Sequence, residues 1–281
     1  MAVGPAVPVD LDALATILEE VAAEEVLPRF RKLRDDEVRA KEGGELVTVA
    51  DLAAEAQIER RLRDLLPGSL VVGEEAVAED PGLLDLLESK DDWIWVVDPI
   101  DGTGNFARGT PIFAVMAGLV RGGETAAACI HDPIGGRTAT AERGAGAWLN
   151  GRRLKLAAPP PFEDLRGTLH AGTFAPPAMV RQVQARRARV GAIKSLRCAG
   201  WEYLRLATGE MQFSLFTKLM PWDHVPGALI YQEAGGLART LDGAPYGARC
   251  HRAPGLLLGP DEASWQWLHD TLFGDPAPDR T

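Results

Sequence analysis

The stretch that most narrows what this chain can fold into runs from Trp93 to Phe106. There an apolar run, Trp93-Ile94-Trp95-Val96-Val97, stops at Asp98-Pro99-Ile100-Asp101 and turns through Gly102-Thr103-Gly104. A short apolar run closed by turn residues predicts a buried strand. Asp98 is then expected at the strand's end and Asp101 just past it on a tight turn. Both carboxylates can face one space, with the Ile100 carbonyl between them. That is an all-oxygen set, the kind hard divalent cations prefer. The amides of Gly102 and Thr103 follow at once and can cradle an anion if a helix or nest opens there. The same residues also suit an ordinary turn, in which Asp101 merely caps a helix.

Asp98-Pro-Ile-Asp-Gly-Thr-Gly-Asn-Phe106 resembles the signature of the inositol monophosphatase family, whose members are Mg²⁺-dependent, lithium-sensitive phosphomonoesterases. Three further stretches carry the resemblance. Gly73-Glu74-Glu75 is similar to the family's Gly-Glu-Glu. Trp222-Asp223…Gly227…Glu233-Ala234-Gly235-Gly236 is similar to its second signature, and Gly144 to Gly151 to its Gly-x-Gly-Ala-x-x-Asn-Gly hairpin. The resemblance implies a layered αβαβα sandwich of the inositol monophosphatase and fructose-1,6-bisphosphatase type, an α+β half followed by an α/β half. It also implies two or three Mg²⁺ ions per subunit and a homodimer.

The resemblance assigns roles residue by residue. Glu74, Asp98 and the Ile100 carbonyl hold a first metal, and Asp98, Asp101 and Asp223 a second. Glu75 is an acceptor behind Glu74. Thr103 and Asp51 orient the attacking water, with Glu74 helping to take its proton, and the Gly102 and Thr103 amides hold the phosphate. Lys41 lies near a third metal position. Read alone, Asp51 and Asp223 are also good helix N-caps and Glu74-Glu75 an ordinary acidic loop. His224 is not expected to ligate a hard cation.

The chain departs from the family where the substrate is chosen. Lys194-Ser195-Leu196-Arg197-Cys198 stands where the family has an arginine, then glycine and a hydroxyl residue, and Phe216 stands where inositol-specific members have a glutamate. Lys194, Arg197 and Phe216 are therefore expected to shape the substrate pocket. Lys194 and Arg197, with Lys218, are expected to meet a second anionic group, since losing a designed hydrogen bond to a substrate hydroxyl shifts specificity by orders of magnitude. Three functions stay open. One is a metal-dependent phosphatase of inositol phosphates or another small phosphorylated metabolite. A second is a nucleotide or sugar bisphosphatase. The third is a binding protein on the same fold.

Composition restricts these further. With 281 residues, 46% hydrophobic, the chain can bury a substantial core. A net charge of −10 argues against nonspecific binding to nucleic acid or an anionic membrane. The three cysteines, Cys129, Cys198 and Cys250, show neither zinc spacing nor a disulfide framework and suit a reducing cytoplasm. Met1 to Pro8 lacks the basic start of a signal peptide, and no run approaches the ~18 apolar residues of a membrane span.

The remaining pattern predicts an amphipathic helix over Asp10–Leu33, a Gly43-Gly44 turn and a helix opened by Asp51 and stopped by Pro67-Gly68. A strand over Leu70–Glu75 and a short helix over Asp80–Ser89 follow. After the central motif, runs from Ile112 to Leu149 predict an antiparallel meander. Ala157-Ala158-Pro159-Pro160-Pro161 separates an N-terminal half, 1–156, from a C-terminal half, 162–274. The latter begins with a strand, Leu165–Ala171, and an arginine-rich helix, Pro176–Arg189, whose charges read as a solvated face. A helix at Ala199–Thr208, a strand at Met211–Phe216 and an apolar helix opened by Asp223 complete the pattern. The tail, 275–281, is expected to be disordered.

Overall fold

A computed structural model describes residues 7–41, 43–172 and 175–274; the tail expected to be disordered lies outside them. In chain order the elements are α1 (Leu11–Val21), β1 (Val38–Ala40), β2 (Leu46–Thr48), α2 (Val49–Leu65), β3 (Leu70–Gly73), α3 (Glu74–Glu79), β4 (Ile94–Asp101) and α4 (Thr103–Ala107). There follow β5 (Ala114–Arg121), β6 (Glu124–Asp132), β7 (Arg137–Glu142), β8 (Gly146–Leu149) and β9 (Arg152–Leu154). The second half holds β10 (Arg166–His170), α5 (Pro177–Arg186), β11 (Gly191–Ala192), α6 (Ala199–Ala207), β12 (Phe213–Phe216), α7 (Pro221–Glu233), β13 (Leu237–Thr240), β14 (Leu256–Gly259) and α8 (Glu262–Phe273).

The strands β3 to β9 form one sheet in sequence order, parallel only between β3 and β4. A second sheet has the order β11-β10-β12-β14-β13. Alternation along β4 shows how the layers arise. Trp95 and Val97 pack with Leu14, Leu18, Ile58 and Leu62 of α1 and α2. Ile94 and Val96 point the other way, into a cluster with Tyr203, Leu204, Val225 and Leu229 of α6 and α7. That cluster continues into Ala238, Leu256 and Leu258 of the second sheet. The sheet's outer face buries Phe213, Leu215 and Leu257 against Val183, Trp265, Leu268 and Leu272 of α5 and α8. The result is the five-layered αβαβα sandwich, with α6 and α7 as its middle layer.

Several local expectations are corrected. The first helix stops well short of Leu33. After Val21 it widens into a π turn, with Leu27 N donating to Ala22 O at 2.8 Å, and Pro28 lacks the N–H that would continue it. The helix assigned to Asp51 opens earlier, at Val49. Thr48 is the N-cap and Asp51 the third residue of a capping box. Glu74 and Glu75 begin α3 rather than end β3. Pro81–Glu88 winds as a 3₁₀ helix. Among the described residues no helix is long and apolar enough to cross a membrane.

Candidate metal centre

Asp98 and Asp101 both belong to β4, so the strand runs further than expected. Three residues apart on a regular strand, they would point to opposite faces. The pairing with β5 breaks between them, jumping from Asp98–Met116 to Asp101–Ala114. This bulge re-aims the chain and brings both carboxylates to one side. Asp223 reaches them from the first turn of α7, behind Pro221 at the first helical position. Oxygen atoms of Asp98, Asp101 and Asp223 all lie within 4.8 Å of one another.

The cluster is electrostatically incomplete. Burial pushes the pKa of Asp98 well above the carboxylate range, and the charges of Glu74, Asp101 and Asp223 push it further. Asp223 is raised by burial and then by Asp101 and Glu74. Asp101 is raised by burial as well, although Cys198 and Gly200 donate to it. Asp98 Oδ1 is buried and has no hydrogen-bond partner among the described residues. An orphaned carboxylate oxygen among like charges is what a hard cation satisfies. The donor set therefore fits a divalent metal.

Glu74 stands next to this trio at the start of α3. Its Oε1 accepts from Lys41 Nζ at 2.7 Å, and the same ammonium reaches Glu75 Oε1 at 2.7 Å. Burial opposes the lysine's charge, but the two glutamates outweigh it and raise its pKa. Lys41 thus enters from the loop between β1 and β2. Lys218 pairs with Glu45 of that loop, which ties the hairpin to the segment before α7.

Asp51 is fully buried and held at both oxygens. Oδ2 accepts from Thr48 N at 2.8 Å and Thr48 Oγ1 at 2.5 Å, while Oδ1 lies 3.1 Å from Thr103 Oγ1. Thr103 Oγ1 also lies 2.9 Å from Ile100 O. Gly102, at φ +86°, makes the left-handed turn that starts α4. Phe106 anchors this turn in the core, with its ring centroid 5.1 Å from that of Phe113, a pairing worth about 0.5–1.5 kcal/mol beyond burial.

Of the expected substrate contacts, Lys194 and Arg197 are exposed. The Arg197 carbonyl lies 3.4 Å from where a Cβ on Gly102 would stand. Phe216 is different. It is 5% exposed and stacks on His170 at a 4.6 Å centroid distance. Its ring is also 4.6 Å from His224. It is part of the core, because β12 is a central strand of the second sheet with both faces covered. His224 places Nε2 2.8 Å from the Lys218 carbonyl and Nδ1 3.1 Å from the Tyr203 hydroxyl. The carbonyl can only accept, so Nε2 carries the proton, and burial lowers the imidazole's pKa to about 4. Both nitrogens are thereby used.

The structure adds residues that sequence reasoning left without a role. Cys198 Sγ and Gly200 N donate to Asp101 Oδ2 at 3.0 and 2.6 Å. Asn105 Nδ2 donates to the carbonyls of Ile112 and Leu196, both at 2.9 Å. Glu55 caps α3, accepting from Glu75 N and Ala76 N at 2.8 Å each.

A pH dependence follows. Burial pushes Asp51 up to about 6, Glu55 to about 7 and Glu75 to about 8. An acid raised in the folded state keeps a proton that the unfolded chain has already released. Stability is therefore greatest below the unfolded pKa and falls as pH rises through the folded one. The metal-free protein is expected to melt at progressively lower temperature from about pH 5 to about pH 8, and Mg²⁺ is expected to restore most of the loss. Thermal melts in chelator and in Mg²⁺ across that range check this. A melting temperature that climbs with pH in chelator contradicts it.

A family model described as the inositol monophosphatase family matches residues 9–272. Among curated proteins, Nus factor SuhB of Pseudomonas aeruginosa is 34% identical over 233 residues, covering 79% of this chain and 82% of that protein. The inositol-1-monophosphatase of Mesorhizobium japonicum is 34% identical over 223 residues, 76% of this chain and 79% of its own length. Among solved structures, the extragenic suppressor protein SuhB of Bartonella henselae superposes with a TM-score of 0.79 at 25% identity, covering 94% of this chain and 98% of that one. The Thermotoga maritima IMPase superposes with a TM-score of 0.78 at 24% identity, covering 93% and 96%.

Proposed function

Because the chain belongs to the inositol monophosphatase family, we propose that it hydrolyses a small phosphomonoester with Mg²⁺ held by Glu74, Asp98, Asp101, Asp223 and the Ile100 carbonyl. The observation that carries this reading is the partnerless Asp98 Oδ1 inside a buried carboxylate cluster. Two or three ions per subunit, lithium sensitivity, a homodimer and a cytoplasmic site of action belong to the same proposal. A bound divalent ion lowers the pKa of its water and polarises the phosphoryl oxygens.

The chain's own residues supply position and proton management. The Thr103 hydroxyl has one proton and two acceptors in reach, Asp51 Oδ1 and Ile100 O. When it donates to Asp51, its lone pairs face outward to take a hydrogen bond from water. Asp51 cannot turn away, since Thr48 holds its other oxygen. Glu74, whose charge is felt by both Asp51 and Asp98, is the carboxylate assigned to accept the water's proton. The Gly102-Thr103 turn offers its amides to the phosphate.

The test is phosphate release from an inositol monophosphate, a sugar bisphosphate and a nucleoside bisphosphate, each with and without Mg²⁺. Release that requires Mg²⁺ supports the reading, and the preferred compound separates a monophosphatase from a bisphosphatase. Relatives named Nus factor SuhB favour a second reading, a binding protein on the same fold. Mg²⁺ that neither supports turnover nor raises the melting temperature would favour it.

A further inference from the structure

Glu202 is fully buried in α6 and takes no part in the chemistry above. Its Oε2 accepts from Thr168 Oγ1 at 2.6 Å and lies 2.6 Å from His170 Nε2. Its Oε1 accepts from Leu196 N at 2.9 Å and from Ser195 Oγ at 3.2 Å. One oxygen thus faces the second sheet, through β10, and the other faces the turn that precedes α6. Burial alone would raise its pKa, yet His170, Thr168 and the Leu196 amide outweigh it and hold it below the usual glutamate range.

The turn needs holding. Arg197 sits at φ +56°, a conformation costly for a residue with a Cβ. Its amide donates to Ser195 Oγ at 3.0 Å, the same hydroxyl that reaches Glu202. From this turn two connections run to the metal centre. The Leu196 and Arg197 carbonyls accept from Asn105 Nδ2, at 2.9 and 3.3 Å, one turn beyond Gly102. Cys198 and Gly200 donate to Asp101 Oδ2. A buried carboxylate with four donors is costly to lose whatever its role, so stability alone does not reveal that role. Glu202 also holds a strained turn against Asp101, and the metal response is where that second role would show.

We propose that Glu202 is a positioning residue of the metal centre: by fixing residues 195–198 it sets the direction in which Asp101 is held and the placement of Asn105 beside the phosphate turn. This rests on Asp101 being a metal ligand, as proposed above. The two sides of Glu202 make it testable. Thr168→Val removes a donor on the sheet side only. Ser195→Ala removes one on the turn side only. Glu202→Gln keeps the shape and loses the charge.

The readouts are the melting temperature without Mg²⁺, the Mg²⁺ concentration giving half of the Mg²⁺-induced rise in melting temperature, and kcat and KM on a phosphomonoester. Glu202→Gln is expected to raise the half-effect Mg²⁺ concentration about tenfold, in line with outer partners of metal ligands. Ser195→Ala is expected to raise it about threefold with little change in the metal-free melting temperature. Thr168→Val is expected to lower the melting temperature while leaving the Mg²⁺ response and KM as in the wild type. An unchanged Mg²⁺ response in both Glu202→Gln and Ser195→Ala would overturn the inference. Should Glu202→Gln fail to fold, the contrast between Ser195→Ala and Thr168→Val decides it. A wild-type protein whose melting temperature ignores Mg²⁺ would remove the metal reading itself, and the inference with it.

Discussion

Asp98→Asn is expected to lose Mg²⁺-dependent phosphate release by roughly a thousandfold or more, while the metal-free protein becomes harder to melt. The two effects have opposite signs because the same carboxylate does opposite things with and without the ion. With a cation bound, Asp98 would serve as one of its ligands in the proposed site, and several kcal/mol of transition-state stabilisation would depend on it. Without the cation it is a buried carboxyl group whose ionisation burial and the neighbouring Glu74, Asp101 and Asp223 all oppose, with one oxygen lacking any partner among the described residues. Asparagine fills the same volume, removes the repulsion and can donate to a neighbouring carboxylate. A gain of about 1–2 kcal/mol would move the melting temperature by about 2–8 °C in a chain of this size. Release assays and melts in chelator, on one preparation, measure both. An Asp98→Asn protein that keeps Mg²⁺-dependent turnover, or melts lower in chelator, contradicts the assignment.

Gly227→Ala is expected to be strongly damaging although it touches no proposed ligand. A Cβ at Gly227 would lie 2.1 Å from two atoms of the Tyr203 ring, far inside contact distance. The ring has nowhere to go. Tyr203 has no solvent exposure, and its hydroxyl lies 3.1 Å from His224 Nδ1. Overpacking at such a point costs about 3 kcal/mol or more, equivalent to a fall of about 6–12 °C in melting temperature. The contact joins α6 to α7, and these helices carry the donors to Asp101 on one side and Asp223 on the other. The Mg²⁺ response should therefore weaken together with stability. A melting temperature within a degree or so of the wild type would show that the two helices separate at little cost.

What was legible in the sequence was the chemistry of single residues. Asp98, Asp101 and Asp223 stand out because they sit in two strings that resemble the family's signatures; read alone, Asp101 and Asp223 are equally good helix caps. The strands from β4 to β8 were legible because each is a short apolar run closed by a turn. What pairing decides was not. The bulge that turns Asp98 and Asp101 to one side exists only against β5, so a single strand cannot announce it. Thr48 and Asp51 are equally good caps, and only the bonds made show that Thr48 caps and Asp51 faces Thr103. Phe216 reads as a pocket residue because it stands where inositol-specific members have a glutamate; the His170 and His224 rings that enclose it come from other segments and are invisible in its own stretch. Glu202 gave no signal at all: in Trp201-Glu202-Tyr203-Leu204 an acid looks like the wet side of a helix, whereas here it is as buried as Tyr203 beside it.

The division of the carboxylates between β4 and α7 has a consequence in time. Asp98 and Asp101 leave the ribosome long before Asp223, and the helix that brings Asp223 to them is packed between two sheets, the second of which is completed by still later strands. No chain ending before α7 holds all three carboxylates, so capture of the proposed ion would come late, as the layers close. An ion held by contacts that form late slows escape from the native state more than it speeds arrival. For this molecule the proposed cation would be less a nucleus than a latch, its hold felt in how long a finished copy lasts.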